Sequence, residues 1–183
     1  MKISKTPTFQ VNGIILILLI FSLTTLSAQE KSEKIASSAQ DWNSLFQRKK
    51  GWFGGDGIFA IPMDGKEYIQ ANDSTETLFI FSDSVIGEIG ADGTLKKKED
   101  FNFVNNVVAV LKGKEPIAEN FKFYYPTDKS GKNTSVFKPN TPNTKPGEYY
   151  WLGDGFVNVD KDSTLYIFAY RITHIDPITS FFD

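Results

Sequence analysis

A short polar motif recurs along this chain at a fixed interval. Asp56, Asn105 and Asp154 are spaced by 49 residues (105 − 56 and 154 − 105), and each stands at the mouth of an apolar, β-prone run. The copies read Gly54-Gly55-Asp56-Gly57-Ile58-Phe59-Ala60-Ile61, Asn105-Asn106-Val107-Val108-Ala109-Val110 and Gly153-Asp154-Gly155-Phe156-Val157. Strand-built repeats of roughly 20–50 residues make propellers or solenoids, in which each unit buries its apolar face against its neighbours. The expected fold is therefore all-β.

The first stretch stands apart from the repeats. Lys2 and Lys5 precede the apolar run Ile14 to Phe21, and small or polar residues continue from Ser22 to Ala28. This order describes a secretory signal peptide over residues 1–28, cut near Ala28-Gln29. An uncleaved membrane anchor is the alternative, although the run falls short of the about 20 apolar residues a span needs. The mature chain is then expected to be secreted or periplasmic, with no stable membrane association. Loss of Lys2 and Lys5 leaves a charge of 18 − 22 = −4. A chain this acidic has no basic footprint for nucleic acid. There is no cysteine, hence no disulfide framework and no lipid-bearing thiol. Sixteen Phe, seven Tyr and three Trp suit a large aromatic core or a sugar-binding surface.

Residues 29–50 are polar and read as a linker ending in a short helix, with Asp41 as a candidate cap ahead of Trp42, Leu45 and Phe46. Residues 51–183 form the domain. Thr77 to Phe81, Val107 to Leu111 and Phe121 to Tyr125 are strand runs, and Phe156 to Phe168 reads as a hairpin turning at Asp160 to Ser163. Thr127 to Gly147, with Pro139, Pro142 and Pro146, reads as an insertion or lid. If each first strand begins at the polar motif and the second returns antiparallel, both ends share one sheet edge. That geometry gathers Asp56 with Asp83, Asn105 and Asn106 with Tyr125, and Asp154 with Tyr170 and Arg171. At about 49 residues per unit the chain holds two full units and part of a third, against the four to eight blades of a closed propeller. It reads as the front portion of a longer protein, an incomplete β-propeller of two to three blades.

Trp52-Phe53-Gly54-Gly55-Asp56-Gly57, Leu78-Phe79-Ile80-Phe81-Ser82-Asp83, Asn105-Asn106 and Tyr150-Trp151-Leu152-Gly153-Asp154-Gly155 resemble secreted domain-of-unknown-function families related to five-bladed β-propeller glycoside hydrolases. The resemblance covers roughly residues 51–171. It implies a five-bladed propeller and a carbohydrate partner, with Asp56 at the position of a first-blade general base or nucleophile. Asn105 and Asn106 stand where those enzymes place a second acid, and Asp154 stands where they more often place Glu.

Glycoside hydrolysis generally uses two carboxyl groups, one protonated and one ionised. Asp56 with Asp154 is the pair this sequence offers, with Asp83 tuning or orienting. Gly-Asp-Gly is also an ordinary turn sequence, and Asp83 also suits a structural strand-end role. Tyr150 and Trp151 offer faces for sugar rings, and Asn105, Asn106, Arg171 and the lone His174 are candidate substrate contacts. No His or Cys cluster has metal-ligand spacing and no phosphate loop is present, so neither metal nor cofactor is expected. The expected function is a glycoside hydrolase-like action on carbohydrate. The alternatives are a non-catalytic carbohydrate-binding propeller and a fragment without independent activity.

Overall fold

The computed structural model describes residues 38–67, 71–95 and 101–173. The signal-peptide expectation and His174 lie outside the described residues. The chain divides into two units after Ser38, and the strands of the described residues belong to the unit from Ala39 onward. The described residues are all-β apart from one short α-helix and one 3-10 turn, in several antiparallel sheets with no closed barrel.

Helix α1 (Gln40–Phe46) is followed by β1 (Lys50–Gly55), β2 (Phe59–Pro62), β3 (Glu76–Phe81) and β4 (Ser84–Glu88). Then come β5 (Phe101–Val104), β6 (Val107–Lys112), β7 (Phe121–Tyr124), β8 (Tyr149–Asn158) and β9 (Thr164–Ile172). Asp41 is not the helix cap. Ala39 holds that position with no side-chain bond, and Asp41 lies in the first turn, where its charge favours the helix N-terminus.

Among the described residues three sheets form, in the orders β1-β4-β5, β2-β3-β6-β7 and β8-β9. The four-stranded sheet lies between the other two. From β3, Phe79 and Phe81 join the core shared with the first sheet through Trp52, Ile86 and Val104. The alternate residues Leu78 and Ile80 join the core shared with the third sheet through Leu152 and Val157. β6 divides the same way, with Val107, Ala109 and Leu111 on one side and Val108 and Val110 on the other. A strand buried on both faces needs apolar residues at consecutive positions rather than alternating ones, which explains the unbroken Leu78-Phe79-Ile80-Phe81.

The first core is aromatic. Trp52 stacks on Phe123 with centroids 4.7 Å apart and planes 13° apart. Phe46, at the end of α1, meets Phe121 edge-on at 5.5 Å. Such pairs add about 0.5–1.5 kcal/mol beyond their buried area, so α1 is anchored by two residues, Leu45 and Phe46, despite its weak cap.

The 49-residue motif marks the points where the chain changes sheet. Residues 56–58 separate β1 in one sheet from β2 in the next, and residues 105–106 separate β5 from β6 in the same manner. On the return path, Ser82 and Asp83 break β3 from β4. At the third copy the strand does not break. β8 runs through Asp154, and its pairing with β9 shifts register between Leu152 and Gly155.

Candidate functional site

Where the first hairpin bends, its two strands stay tied. The Asp56 amide donates to the Asp83 carbonyl at 3.0 Å and the Ser82 amide donates to the Asp56 carbonyl at 2.9 Å. Asp56 and Asp83 therefore share one edge, as the antiparallel argument requires. Gly57 allows this closeness: its φ is +58°, and a Cβ there would lie 2.8 Å from Ser82 Oγ, so any other residue meets both strain and a clash.

Three polar side chains from these strand junctions grip three consecutive residues of β8. Asn106 Nδ2 donates to the Tyr150 carbonyl at 2.9 Å. Trp151 Nε1 donates to Asp83 Oδ1 at 2.8 Å. Ser82 Oγ accepts from the Leu152 amide and donates to the Leu152 carbonyl, both at 2.9 Å. Asp83 Oδ1 also accepts from Asn105 Nδ2 at 3.3 Å. One carboxylate thus joins the motif regions of all three repeats, and its charge replaces the neutral acceptor that an indole N–H would otherwise find. Tyr149 feels the same arrangement: burial first, and the Asp83 charge second, raise its phenol above the ordinary value.

Beside this seam lies a hollow of about 380 Å³ lined by Asp56, Gly57, Ser82, Trp151, Leu152 and Tyr170. It falls within the size range of small-ligand sites. The Asp56 side chain is exposed and makes no hydrogen bond or ion pair among the described residues. Trp151 and Tyr170 are cross-strand partners in the β8–β9 register, so two aromatic side chains share the face beside a carboxylate with no partner among the described residues. No group of three or more His, Cys, Asp or Glu among the described residues is placed to hold a metal ion.

The remaining candidates are placed differently. Asp154 does not line the hollow. It sits in the β8 bulge with Gly153, opposite Phe168 of β9, and its Oδ1 accepts from the Gly155 amide at 2.8 Å. Tyr170 and Arg171 pair with Trp151 and Tyr150 rather than with Asp154, because β8 begins at Tyr149 and passes through the motif. Asn106 is wholly buried, and its carboxamide is committed to main chain: it donates to the Phe137 and Tyr150 carbonyls and accepts from the Phe137 amide. Tyr150 is on the opposite face of β8, lining a separate apolar cavity of about 390 Å³ with Phe137, Leu152, Ile167 and Ala169.

Arg171 closes the proline-containing segment onto β9. Its Nε and Nη2 donate to Glu148 Oε2, Nη1 to Thr141 Oγ1 and Nη2 to the Asn143 carbonyl. The Lys145 amide also donates to Glu148 Oε2, and this bond first, then Arg171, holds the Glu148 carboxyl below its usual value. With Ser135 and Pro139 buried and Asn106 gripping Phe137, residues 126–148 form a pinned strap.

Sequence reasoning gave no role to Ser82 or Glu148, whose roles depend on partners 70 and 23 residues away. It also overlooked the aromatic alternation Tyr166, Phe168, Tyr170 on β9, which the period of a strand makes visible.

A family model described as a domain of unknown function (DUF5005) matches residues 39–181. No curated protein matches the chain. Among solved structures, a "putative hydrolase" from Bacteroides ovatus ATCC 8483 matches with a TM-score of 0.55 and 18% identity, over 76% of this chain and 35% of that one. At that identity the likeness concerns the fold, and this chain spans about a third of the solved protein's length.

Proposed function

The chain belongs to the DUF5005 family, and on that premise we propose that it is an exported, glycoside hydrolase-like protein that takes a carbohydrate at the edge where its repeats meet. The fold likeness to a solved protein of hydrolase description supports a hydrolase-like character. The stacked antiparallel sheets, between the first two of which the chain crosses at residues 56–58 and 105–106, support a partial propeller of the five-bladed kind. Export through residues 1–28, to the periplasm or beyond, supplies the compartment in which a glycan would be met.

The observation that carries the reading is the hollow itself. A sugar ring has apolar C–H faces and a polar rim, so it is recognised by an aromatic surface with carboxylates and amides at its border. Trp151 and Tyr170 give the surface and Asp56 gives an exposed carboxylate. Asp83 orients the Trp151 ring through its N–H, and Asn105 is bonded to the same carboxylate. In hydrolysis, one carboxylic acid gives its proton to the departing glycosidic oxygen while a carboxylate takes a proton from the attacking water or itself attacks the sugar carbon. Asp56 fills the second role in this reading, Asp154 the first, and Asp83 positions.

A binding module without catalysis is the second reading. One observation favours it: Asp56 is the only acid among the described residues lining the hollow, with Asp83 engaged by two N–H donors and Asp154 in the bulge. Asp56→Asn separates the two. Under hydrolysis, the variant keeps its unfolding midpoint and loses reducing-sugar release from the cognate glycan by at least about a hundredfold, the scale of an acid–base contribution. Under binding alone, wild type releases no sugar, and Trp151→Ala weakens glycan affinity more than Asp56→Asn does. Full release by Asp56→Asn removes Asp56 from the chemistry.

A further inference from the structure

The charge at the hollow is of one sign. Among its described lining residues only Asp56 is charged, and its exposed carboxylate makes no hydrogen bond or ion pair among the described residues. Asp83 places a second carboxylate at the edge of the half-buried Trp151 ring, where it accepts the indole N–H at 2.8 Å. Its other donor is the neutral Asn105 carboxamide, so neither bond brings a cation to offset it. Arg171 does not offset it either. It pairs with Tyr150 in the β8–β9 register and directs its donors to Glu148, Thr141 and Asn143. The negative field extends to Tyr149, whose ring lies 6.0 Å from that of Trp151: burial first, and the Asp83 charge second, raise its phenol.

We infer that the hollow selects sugars carrying a free, protonated amine over neutral or acidic sugars. This rests on the carbohydrate reading of the hollow, in its binding form, and names the class of sugar. A protonated amine over an indole face is held by the quadrupole of the ring. An N–H donated to an anion polarises its ring towards greater electron density, so the bond from Trp151 to Asp83 strengthens that attraction. Asp56 supplies the opposite charge for the ammonium, and the same carboxylate repels a uronic acid. A neutral sugar stacks on the ring but has no charge to pair with Asp56. Both groups are set by the strand junctions and owe nothing to the outer face of the hairpin. Asp56 is tied through its backbone to Ser82 and Asp83, and Trp151 is tied through its ring to Asp83.

The test is a titration of the protein with glucosamine, galactosamine and β-1,4-linked glucosamine oligomers at low salt. Each is compared with its neutral parent and its N-acetyl form. In at least one set the amine is expected to bind about tenfold tighter than both counterparts, the combined scale of an exposed cation–π contact and an exposed ion pair. Asp56→Asn changes an exposed position. It is expected to keep the circular dichroism and the affinity for the neutral parent while lowering that ratio about threefold. High salt shrinks the ratio in the wild type as well, because exposed charges are screened. An amine that binds no tighter than its neutral parent or its N-acetyl form overturns the inference and leaves the carbohydrate reading standing. A ratio unchanged in Asp56→Asn does the same. Binding of tetramethylammonium without binding of any sugar overturns the carbohydrate reading and the inference with it, and so does absence of binding throughout.

Discussion

The four-stranded sheet and the β8–β9 hairpin are built from the same kind of residues and end in opposite situations. β3 is apolar at consecutive positions and is covered on both sides. β9 is also rich in apolar residues, yet Leu165 and Ile167 pack inward while Phe168 and Tyr170 face outward, largely exposed. Burial in this fold is therefore set by how many neighbouring sheets a strand has, and hydrophobicity alone does not distinguish a core strand from an aromatic surface. The outer hairpin is also held differently. Its apolar contacts with the middle sheet are supplemented by the polar grip of Ser82, Asp83 and Asn106 on Tyr150, Trp151 and Leu152.

The largest expected effect lies in the middle sheet. Phe81 is fully buried against both the Trp52 and Phe123 rings, and Phe81→Ala is expected to cost about 3–5 kcal/mol in urea unfolding. A loss below about 1 kcal/mol, far under that cavity cost, breaks the contrast between doubly covered and singly covered strands. Next is the grip on the hairpin. Asn106→Ala strands the Phe137 amide and two carbonyls, with an expected cost of about 2–4 kcal/mol; hydrogen exchange should then open 135–137 and 150–152 ahead of β3. Equal protection in both regions contradicts a separate polar grip.

A smaller effect comes from acidity. Glu148 has a lowered pKa in the folded protein, so its contribution is present above the unfolded-state value and is lost as pH falls through the lower, folded one. The strap is expected to resist protease at about pH 5 and to yield only in acid well below the usual carboxylate value. In Glu148→Gln it yields at neutral pH as well. Cleavage of wild type in mild acid argues against the latch. The smallest effect is on the outer face, where Phe168→Ala should change stability by no more than about 0.5 kcal/mol. A multi-kcal loss means that this face is covered in solution.

Much of the edge is legible in the sequence. The period of the motif and the antiparallel return place Asp56 and Asp83 together, and hydrogen bonds at 3.0 and 2.9 Å join their strands. The third copy is less legible. Gly153 and Asp154 look like the earlier turns, but β8 absorbs them as a bulge; a Cβ at Gly155 would come within 2.5 Å of the Tyr166 carbonyl and 2.7 Å of Ile61 Cδ1. The hairpin must therefore approach its neighbour closely there, a demand no local pattern announces. Arg171 beside a polar mouth suggests a ligand contact, whereas its donors are directed to Glu148, Thr141 and Asn143.

The sequence by itself determined β2, β3, β6, β7 and the closing hairpin, with their antiparallel returns and the recurrence of a polar junction, because alternation, turn residues and spacing are local properties of the chain; the sheet of β1, β4 and β5 came from the tertiary structure. Only the tertiary structure decided which polar residues serve as grips and which stand open. Asn106, Asp83 and Asp56 are alike on paper. Their roles diverge because a polar group buried by a neighbouring sheet must find partners within the protein, while an exposed one keeps its bonding capacity for a ligand.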